Sequence, residues 1–251
     1  MHAVVVDLAA TAKALEAIAI GPERPLIAES CQPERLAVHF KAYRVVLVDG
    51  YARAPQRLAG RRWPFAAALH RNVGEHFGWP RDNFIGRTPQ ANTERDNWAR
   101  FFVEQRLRPQ FARARAQGFD IELQRQADRL LDRVPALFLD YRPPESLLHG
   151  DLWHGNAAVL ADGTPVVFDP AVHRGDREAD LAMSELFGGF PSAFYTAYRR
   201  AWPLHEDYEQ RKPLYSLYHL LNHLNLFGRA YLRESLRLAT RLNEELARRR
   251  D

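Results

Sequence analysis

The sequence is poor in cysteine and has no long apolar segment. Its 251 residues include one cysteine, Cys31, which excludes an internal disulfide and favours a reducing compartment. No apolar run approaches the roughly 20 residues that span a membrane. The first residues, MHAVVVDLAATAKAL, lack the features of a signal peptide. We therefore expect a cytoplasmic protein with no membrane partner.

Lysine is also scarce, and the sequence contains only Lys13, Lys41 and Lys212. Arginine therefore carries nearly all of the positive charge, and the formal net charge is +4. The arginines alternate with acidic residues along helical segments such as RQADRLLDR. A nucleic-acid-binding protein more often concentrates basic residues on one face. This pattern predicts solvated helix surfaces and no nucleic-acid partner.

The order of patterns predicts a small strand-containing N-terminal part followed by a larger helical part. Residues 9–19 have helical composition, and YRVVLV (43–48) is typical of a strand. FGWPRDNFIGRTPQ (77–90) is predicted to be a loop that packs against the protein. Helices are predicted from near Pro64, around Trp98, Phe101, Phe102 and Leu107, around Ile121, Leu123, Leu130 and Leu131, from near Asp180, and over most of 192–251.

The stretch SLLHGDLWHGNAAVLADGTPVVFDPAV, residues 146–172, has the most specific pattern. Asn156 follows Asp151 by five residues, and Asp169 follows a short strand that comes after an Asp162-Gly163 turn. The spacing is that of a kinase catalytic loop, H-x-D-x-x-x-x-N. In such a loop one carboxylate accepts the proton of the attacking hydroxyl, while an amide oxygen and a second carboxylate bind Mg²⁺.

Two other interpretations of this stretch stay open from the residues alone. His149 and His154, together with Asp151, have side chains that suit a transition-metal site of a hydrolase. Alternatively, His149 braces the loop while Asp151 and Asn156 satisfy the backbone of a turn.

HGDLWHGN and the later FDPAVHRGDREADLAMSELFGGFP resemble the fructosamine (ketosamine) kinases, which are relatives of the aminoglycoside phosphotransferases and choline kinases. FGWPRDNFIGRTPQ, DNWARFFVEQRL and LYHLLNHLNLFG are similar to segments of that family in the same order. The resemblance covers roughly residues 69–228, which is most of the chain.

The resemblance implies an α+β, bilobal fold like that of protein kinases. Residues 1–51 would form a reduced N-lobe with the interlobe hinge. Residues 52–251 would form a large, mostly helical C-lobe that carries the catalytic-loop hairpin and the acceptor cleft. The implied activity is ATP- and Mg²⁺-dependent phosphorylation of the 3-hydroxyl of a ketoamine sugar, on a small amine or on a glycated protein lysine. Such phosphorylation would permit deglycation.

The resemblance also implies roles for individual residues. Asp151 would be the catalytic base, and Asn156 and Asp169 would bind Mg²⁺. The hinge would contact the nucleotide through Leu47, Asp49 and Tyr51. His149, Asp176 and Asp180 would support the site. Candidates for the acceptor pocket are Trp153 and His154 on the loop and His219 and Asn222 on a helix, with structural packing as the alternative for all four.

In FGWPRDNFIG, Asp82 and Asn83 present a similar choice. They either contact the acceptor or belong to a packed brace between lobes. We favour the brace, because the neighbouring aromatic and aliphatic side chains need burial.

The front of the chain departs from the family pattern. Before Asp49 the only glycine is Gly21, and no G-x-G loop is present. Thr11 stands where the family has a lysine-pairing glutamate, and we expect the family's strands before this helix to be absent. The kinase stays our leading hypothesis. Because phosphoryl transfer depends on charge stabilisation, the alternative is a catalytically impaired kinase-like binding protein that lacks the glycine-rich loop and the phosphate-pairing lysine. A reduced N-lobe would also expose apolar surface, which predicts a homo-oligomer.

Overall fold

The structure is a computed structural model that describes residues 6–7, 65–159 and 165–248. These residues form a mostly helical body with short antiparallel β-sheets. The predicted helix at 9–19, the predicted strand at 43–48 and the hinge residues Leu47, Asp49 and Tyr51 lie outside the described residues. The predicted boundary between lobes at residues 51 and 52 lies outside them as well.

Helices form the scaffold of the described part. The described α-helices are α1 (Phe65–His70), α2 (Trp98–Phe101), α3 (Arg108–Ala116), α4 (Ile121–Leu131), α5 (Glu178–Leu186), α6 (Ser192–Ala201), α7 (Tyr208–Phe227) and α8 (Leu232–Arg248), with a π-helical segment, Phe102–Leu107, between α2 and α3. The central helix α7 packs against α3, α5 and α8, and α8 also packs against α4. None of the described helices is both long and apolar enough to cross a membrane.

Helix α4 shows how local sequence produces these elements. The Asp120 side chain accepts a hydrogen bond of 2.7 Å from the Glu122 backbone N–H and so caps the helix. Leu123, Ala127 and Leu130 then recur at helical spacing and are buried against α8. Ile121 is 68% exposed, because at 3.6 residues per turn it lies roughly 200° around the helix from Leu123 and therefore on the opposite face.

The predicted loop at 77–90 is wrong in its second half, which forms a β-hairpin. Strand β2 (Asn83–Ile85) pairs antiparallel with β3 (Thr88–Gln90). Gly86 begins the two-residue turn with a φ of 58°, a conformation that glycine adopts without strain. Each strand has three residues, and their Asn, Thr, Pro and Gln are poor strand formers or polar, so the sequence had no alternating signal.

Two further sheets flank the predicted catalytic loop. Strand β4 (Ser146–Leu148) pairs with β7 (His173–Gly175), so Leu148 lies opposite His173. Strands β5 (Ala157–Val159) and β6 (Pro165–Val167) pair antiparallel as the predicted hairpin requires, while its predicted Asp162-Gly163 turn lies outside the described residues. Strand β1 (Val6–Asp7) pairs with the other edge of β6. The loop is therefore held between paired strands at both ends.

An aromatic cluster around Trp98 packs against the β4–β7 strand pair. The Trp98 ring lies 5.3 Å from Phe77 and 5.5 Å from Phe101, measured between centroids. Its Nε1–H donates to the Tyr215 hydroxyl at 3.1 Å, so the indole is satisfied although buried. A Cβ added at Gly175 would lie 2.7 Å from the Trp98 ring. This close contact requires glycine in β7.

A buried ion pair joins α5 to α7. The Arg211 guanidinium donates from Nε and Nη2 to the two carboxylate oxygens of Glu178, at 2.9 and 3.1 Å. Both residues are at most 1% exposed. Burial and the neighbouring Asp176 charge raise the pKa of Glu178 to about 7, against the opposing effect of Arg211. The two groups match in geometry, but removing either of them would leave the other charge buried without compensation.

We expect Arg211→Met to lower the free energy of unfolding by about 3–5 kcal/mol at pH 8, because it leaves the Glu178 carboxylate buried without a counter-charge. The loss should shrink as pH falls below the raised pKa of Glu178, since protonation removes the buried charge. Chemical denaturation at pH 8 and pH 5 measures both effects. Arg237→Met is the control: it removes an exposed partner of Glu234 and should cost less than about 1 kcal/mol. A loss independent of pH would contradict this account.

Candidate active site

The candidate catalytic loop begins where β4 ends, at His149-Gly150-Asp151. Gly150 has a φ of 81°, and a Cβ there would lie only 2.0 Å from the Ala171 carbonyl oxygen. The loop therefore needs glycine for two reasons, the left-handed backbone and the close approach of the 169–172 segment. The Ala171 N–H donates to the His149 carbonyl at 2.8 Å, which ties the two segments together.

Asp180 holds the backbone of this loop from α5. Its carboxylate accepts the backbone N–H of His149 and that of Gly150, each at 2.8 Å. A third donor, Nε2 of His70 on α1, lies 3.1 Å away. Burial alone would raise the pKa of Asp180, but these donors and the neighbouring imidazoles outweigh it, and the net pKa lies below its usual value. The carboxylate therefore stays charged inside the protein.

His149 links the loop to the residue before Asp169. Its Nε2–H donates to the Phe168 carbonyl at 3.0 Å, and Nδ1 accepts the Asp151 backbone N–H at 3.3 Å. Burial lowers the pKa of His149, so the ring is neutral and both of its nitrogens are engaged. It has no nitrogen lone pair left for a metal, and His154 is exposed. Within the described residues no group of three His, Cys, Asp or Glu side chains could hold a metal ion, which argues against the hydrolase interpretation.

Asp151 and Asn156 lie together, as their spacing predicted. The Asn156 Nδ2 donates to Asp151 at two points, the carbonyl oxygen at 3.0 Å and the carboxylate Oδ2 at 2.9 Å. Asp151 is half-buried, and burial raises the pKa of its carboxyl to about 7, against the lowering effect of the Asn156 hydrogen bond. A carboxyl that titrates near neutral pH can exchange a proton with a substrate hydroxyl.

Asp169 lies directly after the β5–β6 hairpin and beside Asn156. The Phe168 N–H donates to the Asn156 carbonyl at 3.1 Å, which brings the two residues together through the backbone. Asp169 is exposed, and its φ of 52° is the one positive value among the described non-glycine residues. Because both amide hydrogens of Asn156 face Asp151, its Oδ1 faces away. An amide oxygen and a free carboxylate are donors that fit Mg²⁺.

A row of aromatic rings extends from the catalytic loop. Trp153 is half-buried, and its ring lies 5.0 Å from that of His154 and 6.0 Å from that of Phe187, measured between centroids. The Phe187 ring in turn lies 4.5 Å from His223. Phe187 and His223 are both half-buried. Successive rings in the row are inclined at 72°, 70° and 44°, so the row presents a mixture of ring faces and edges, partly exposed, that begins two residues after Asp151.

His219 and Asn222 lie on the same helix as the half-buried His223 but are more deeply buried, and each is 3% exposed. The Asn222 Oδ1 accepts a hydrogen bond of 3.2 Å from Gln110 on α3. Nδ1 of His219 has no hydrogen-bond partner among the described residues, and burial lowers the pKa of this ring to about 3. This placement favours the packing alternative for both residues over a place in an open pocket.

Asp176 supports the site less directly than Asp180. Its carboxylate accepts hydrogen bonds from the hydroxyls of Tyr215, at 2.6 Å, and Tyr141, at 3.1 Å, and from the Glu178 backbone N–H at 3.0 Å. It caps the start of α5 and connects that helix to α7. It does not contact the catalytic loop in any of these hydrogen bonds.

His70, Phe187 and Gln90 belong to the site's surroundings but were not singled out from the sequence. His70 contacts Asp180 across 110 positions of the chain, and its Nδ1 accepts the Tyr198 hydroxyl at 2.7 Å. Gln90 donates to the Ala171 carbonyl across 81 positions. Contacts between residues so distant leave no periodic or motif signal in one sequence.

Comparisons with known proteins agree with this geometry. Residues 62–245 match the profile of a family described as fructosamine kinase. The chain is 49% identical over 170 residues to a protein of Synechocystis sp. named "Probable ketoamine kinase", which covers 67% of this chain and 57% of that protein. It is 38% identical over 174 residues to the ketosamine-3-kinase of Mus musculus, covering 69% of this chain and 56% of that protein. The chain thus spans less than three fifths of these relatives.

A crystal structure from Thermobifida fusca, whose description names fructosamine-3-kinase, has the same fold. Its TM-score is 0.69 at 36% sequence identity, and the match covers 81% of this chain and 69% of that chain. The fold is therefore the kinase-like α+β fold that the sequence predicted.

We expect Asp151→Asn to stabilise the protein at pH 8 by about 1–2 kcal/mol, because the folded state holds a buried charge there that the amide lacks. The folded pKa, about 7, exceeds the ordinary value, so the carboxyl's contribution to stability is lost as pH rises from about 4 to 7. The difference between variant and wild type should therefore vanish near pH 4. Denaturant titrations at both pH values measure it, with the exposed Asp128→Asn as control. Equal effects at both pH values would refute the assignment.

Proposed function

The chain belongs to the fructosamine kinase family, and from this premise we propose that it transfers the γ-phosphoryl group of ATP to the 3-hydroxyl of a ketoamine sugar. The observation that carries the proposal is the Asp151–Asn156 pair, hydrogen-bonded at 2.9 Å beside Asp169 at the end of the β5–β6 hairpin. This is the arrangement that phosphoryl transfer to a hydroxyl requires. The acceptor is a ketoamine on a small amine or on a protein lysine, and phosphorylation serves deglycation.

Asp151 acts as the base of the reaction. Its carboxylate accepts the proton of the sugar hydroxyl as that oxygen attacks the γ-phosphorus. The bond from this phosphorus to the β,γ-bridging oxygen breaks and ADP leaves, while Asn156 Nδ2 holds the carboxylate in place. A pKa of about 7 means that roughly half of the molecules carry the charged form at neutral pH. Its partial burial keeps this carboxylate weakly solvated and ready to accept a proton.

Asn156 and Asp169 would hold Mg²⁺ through the amide Oδ1 and the carboxylate. When bound, Mg²⁺ would neutralise negative charge on the phosphate oxygens. Asn156 would then have two tasks, because its Nδ2 holds the base and its Oδ1 is the atom that would bind the metal. Leu47, Asp49 and Tyr51 at the interlobe hinge contact the nucleotide in our proposal.

The ketoamine lies against the aromatic row of Trp153, Phe187 and His223. Trp153 presents a half-buried face two residues from the base, and His154 at the exposed end of the row can donate to sugar hydroxyls. Flat rings suit the apolar face of a sugar and the chain that joins it to the amine. His219 and Asn222 lie beneath this surface and support it rather than contacting the sugar.

We expect ATP- and Mg²⁺-dependent phosphorylation of a ribulosamine or fructosamine derivative, and Asp151→Ala should reduce kcat by at least about a hundredfold, because the reacting hydroxyl loses its proton acceptor. ³¹P NMR of the sugar phosphate is the measurement. Asp128→Ala, an exposed carboxylate distant from the loop, is the matched control and should retain full turnover. A folded wild-type protein that binds the ketoamine without turnover would favour the impaired binding protein instead.

The pH dependence of kcat/KM tests the role of Asp151 separately. The charged form is the active one, so kcat/KM should fall about tenfold per pH unit below the apparent pKa of Asp151. Burial raises this pKa to about 7 in the protein without metal, and bound Mg²⁺ would lower it. Initial rates between pH 5 and 9, at low ketoamine concentration and saturating ATP, measure this limb. An acid limb whose apparent pKa departs from that of the Asp151 carboxyl, followed by ¹³C NMR in the Mg²⁺- and ATP-saturated protein, would exclude Asp151 as the group that titrates.

A further inference from the structure

We propose that Asn83, on the β2–β3 hairpin, is a positioning residue that fixes the segment carrying Asp169. The Asn83 Nδ2 donates to the Val172 carbonyl at 2.7 Å, across 89 positions of the chain. The Gln90 Nε2 donates to the preceding Ala171 carbonyl at 3.1 Å. The hairpin therefore binds two consecutive carbonyls that follow Asp169-Pro170. The inference rests on the proposed function only in taking Asp169 as a metal ligand.

The backbone at Asp169 needs such anchors. A non-glycine residue at a φ of 52° is in a sparsely populated conformation, which persists only where the surroundings enforce it. Pro170 has no N–H and offers no hydrogen-bond donor of its own. On the other side, Phe168 is already held through Asn156 and His149. The two hairpin amides complete the restraint from the far side of the turn.

The direction of these hydrogen bonds is set by a buried arginine. Arg106 is 1% exposed and donates from Nη2 to the Asn92 Oδ1 at 2.7 Å. Burial lowers its pKa to about 10, so the guanidinium remains protonated at neutral pH. A guanidinium can only donate hydrogen bonds. The oxygen of the Asn92 amide must therefore face Arg106, and its nitrogen must face the other way.

The orientation of the Asn92 amide in turn determines the orientation of the Asn83 amide. The Asn92 Nδ2 donates to the Asn83 Oδ1 at 2.9 Å, and the Gln90 Nε2 donates to the same oxygen at 2.8 Å. The Tyr218 hydroxyl donates to the Gln90 Oε1 at 2.9 Å, which fixes the Gln90 amide too. With two donors on its oxygen, Asn83 can only present its nitrogen to Val172. We call Arg106, Asn92, Asn83 and Gln90 the amide chain.

Asn83→Asp tests the proposal with almost no change in shape. The carboxylate can still accept from Gln90 and Asn92, but it has no hydrogen to donate to Val172. We expect amide hydrogen exchange in residues 168–173 to become about tenfold faster, the effect of losing one buried hydrogen bond. The Mg²⁺ concentration for half-maximal turnover should rise by a similar factor, while KM for the ketoamine should stay within about twofold.

Asn243→Asp is the matched control for the loss of a buried amide. The Asn243 Nδ2 donates to Gln126 between α8 and α4, at 2.8 Å to the side chain and 2.9 Å to the backbone, and the residue is 6% exposed. This variant loses comparable hydrogen bonds away from the 169–172 segment. We expect faster exchange in α4 and α8, with unchanged exchange in 168–173 and an unchanged Mg²⁺ requirement.

Asn92→Asp separates the polarity of the amide chain from general stability. The new carboxylate pairs with Arg106, so the melting temperature should not fall by more than a few degrees. It cannot donate to Asn83, however, and its carboxylate faces the Asn83 Oδ1, so that the Gln90 donor alone holds the Asn83 amide. Exchange in 168–173 should therefore accelerate, but by less than in Asn83→Asp.

Unchanged exchange in residues 168–173 of Asn83→Asp would overturn the proposal. Faster exchange with an unchanged Mg²⁺ requirement would overturn it as well, since the segment would then move without consequence for the metal. If the wild-type protein shows no turnover, the proposed function fails, while the exchange comparison still decides whether Asn83 positions the segment.

Discussion

The buried carboxylate of Asp180 is the contact on which the catalytic loop depends. Two consecutive backbone N–H groups, those of His149 and Gly150, donate to it in a region closed to water. Each of them would cost about 1–3 kcal/mol if left without an acceptor. A carboxylate at 1% exposure is likewise tolerable only because three donors surround it. Helix α5, helix α1 and the loop are therefore bound to each other through one side chain.

Asp180 and Asp151 are the same residue type in opposite environments. Asp180 has three donors, and its pKa lies below the ordinary value. Asp151 has one side-chain donor, Asn156, and burial raises its pKa to about 7. The number of donors around each carboxylate thus separates a structural group from a reactive one. A reactive carboxylate of this kind costs stability, because the fold retains a charge that it solvates poorly.

Neutral amides, rather than ion pairs, connect the β2–β3 hairpin to the site. An amide avoids most of the desolvation cost of a charge, but it has distinct donor and acceptor ends, so a chain of amides has a direction. Arg106 fixes that direction because it is the hydrogen-bond donor at one end of the chain. The Val172 carbonyl accepts the hydrogen bond at the other end. The Glu178–Arg211 pair between α5 and α7 shows the other solution, in which opposite charges offset each other in the core.

The sequence by itself determined the helical character of the chain, the β5–β6 hairpin and the grouping of Asp151, Asn156 and Asp169. These depend on short separations, in which periodicity and turn residues specify local geometry. The tertiary structure decided what depends on distant neighbours. The sequence pattern predicted a loop at Asn83 and Gln90, because their hydrogen-bond partners lie more than 80 positions away in the chain.

The helical spacing of His219, Asn222 and His223 predicted that they lie on one face of α7, but it did not predict how deeply each of them is buried. Packing of α3 against α7 buries the first two and leaves His223 half-exposed. The pKa of Asp151 likewise depends on burial that only the folded protein provides. Its carboxyl is near the ordinary value in an unfolded chain, and only burial in the folded protein raises it towards neutrality, since the solvent that stabilises the charge is removed by the fold.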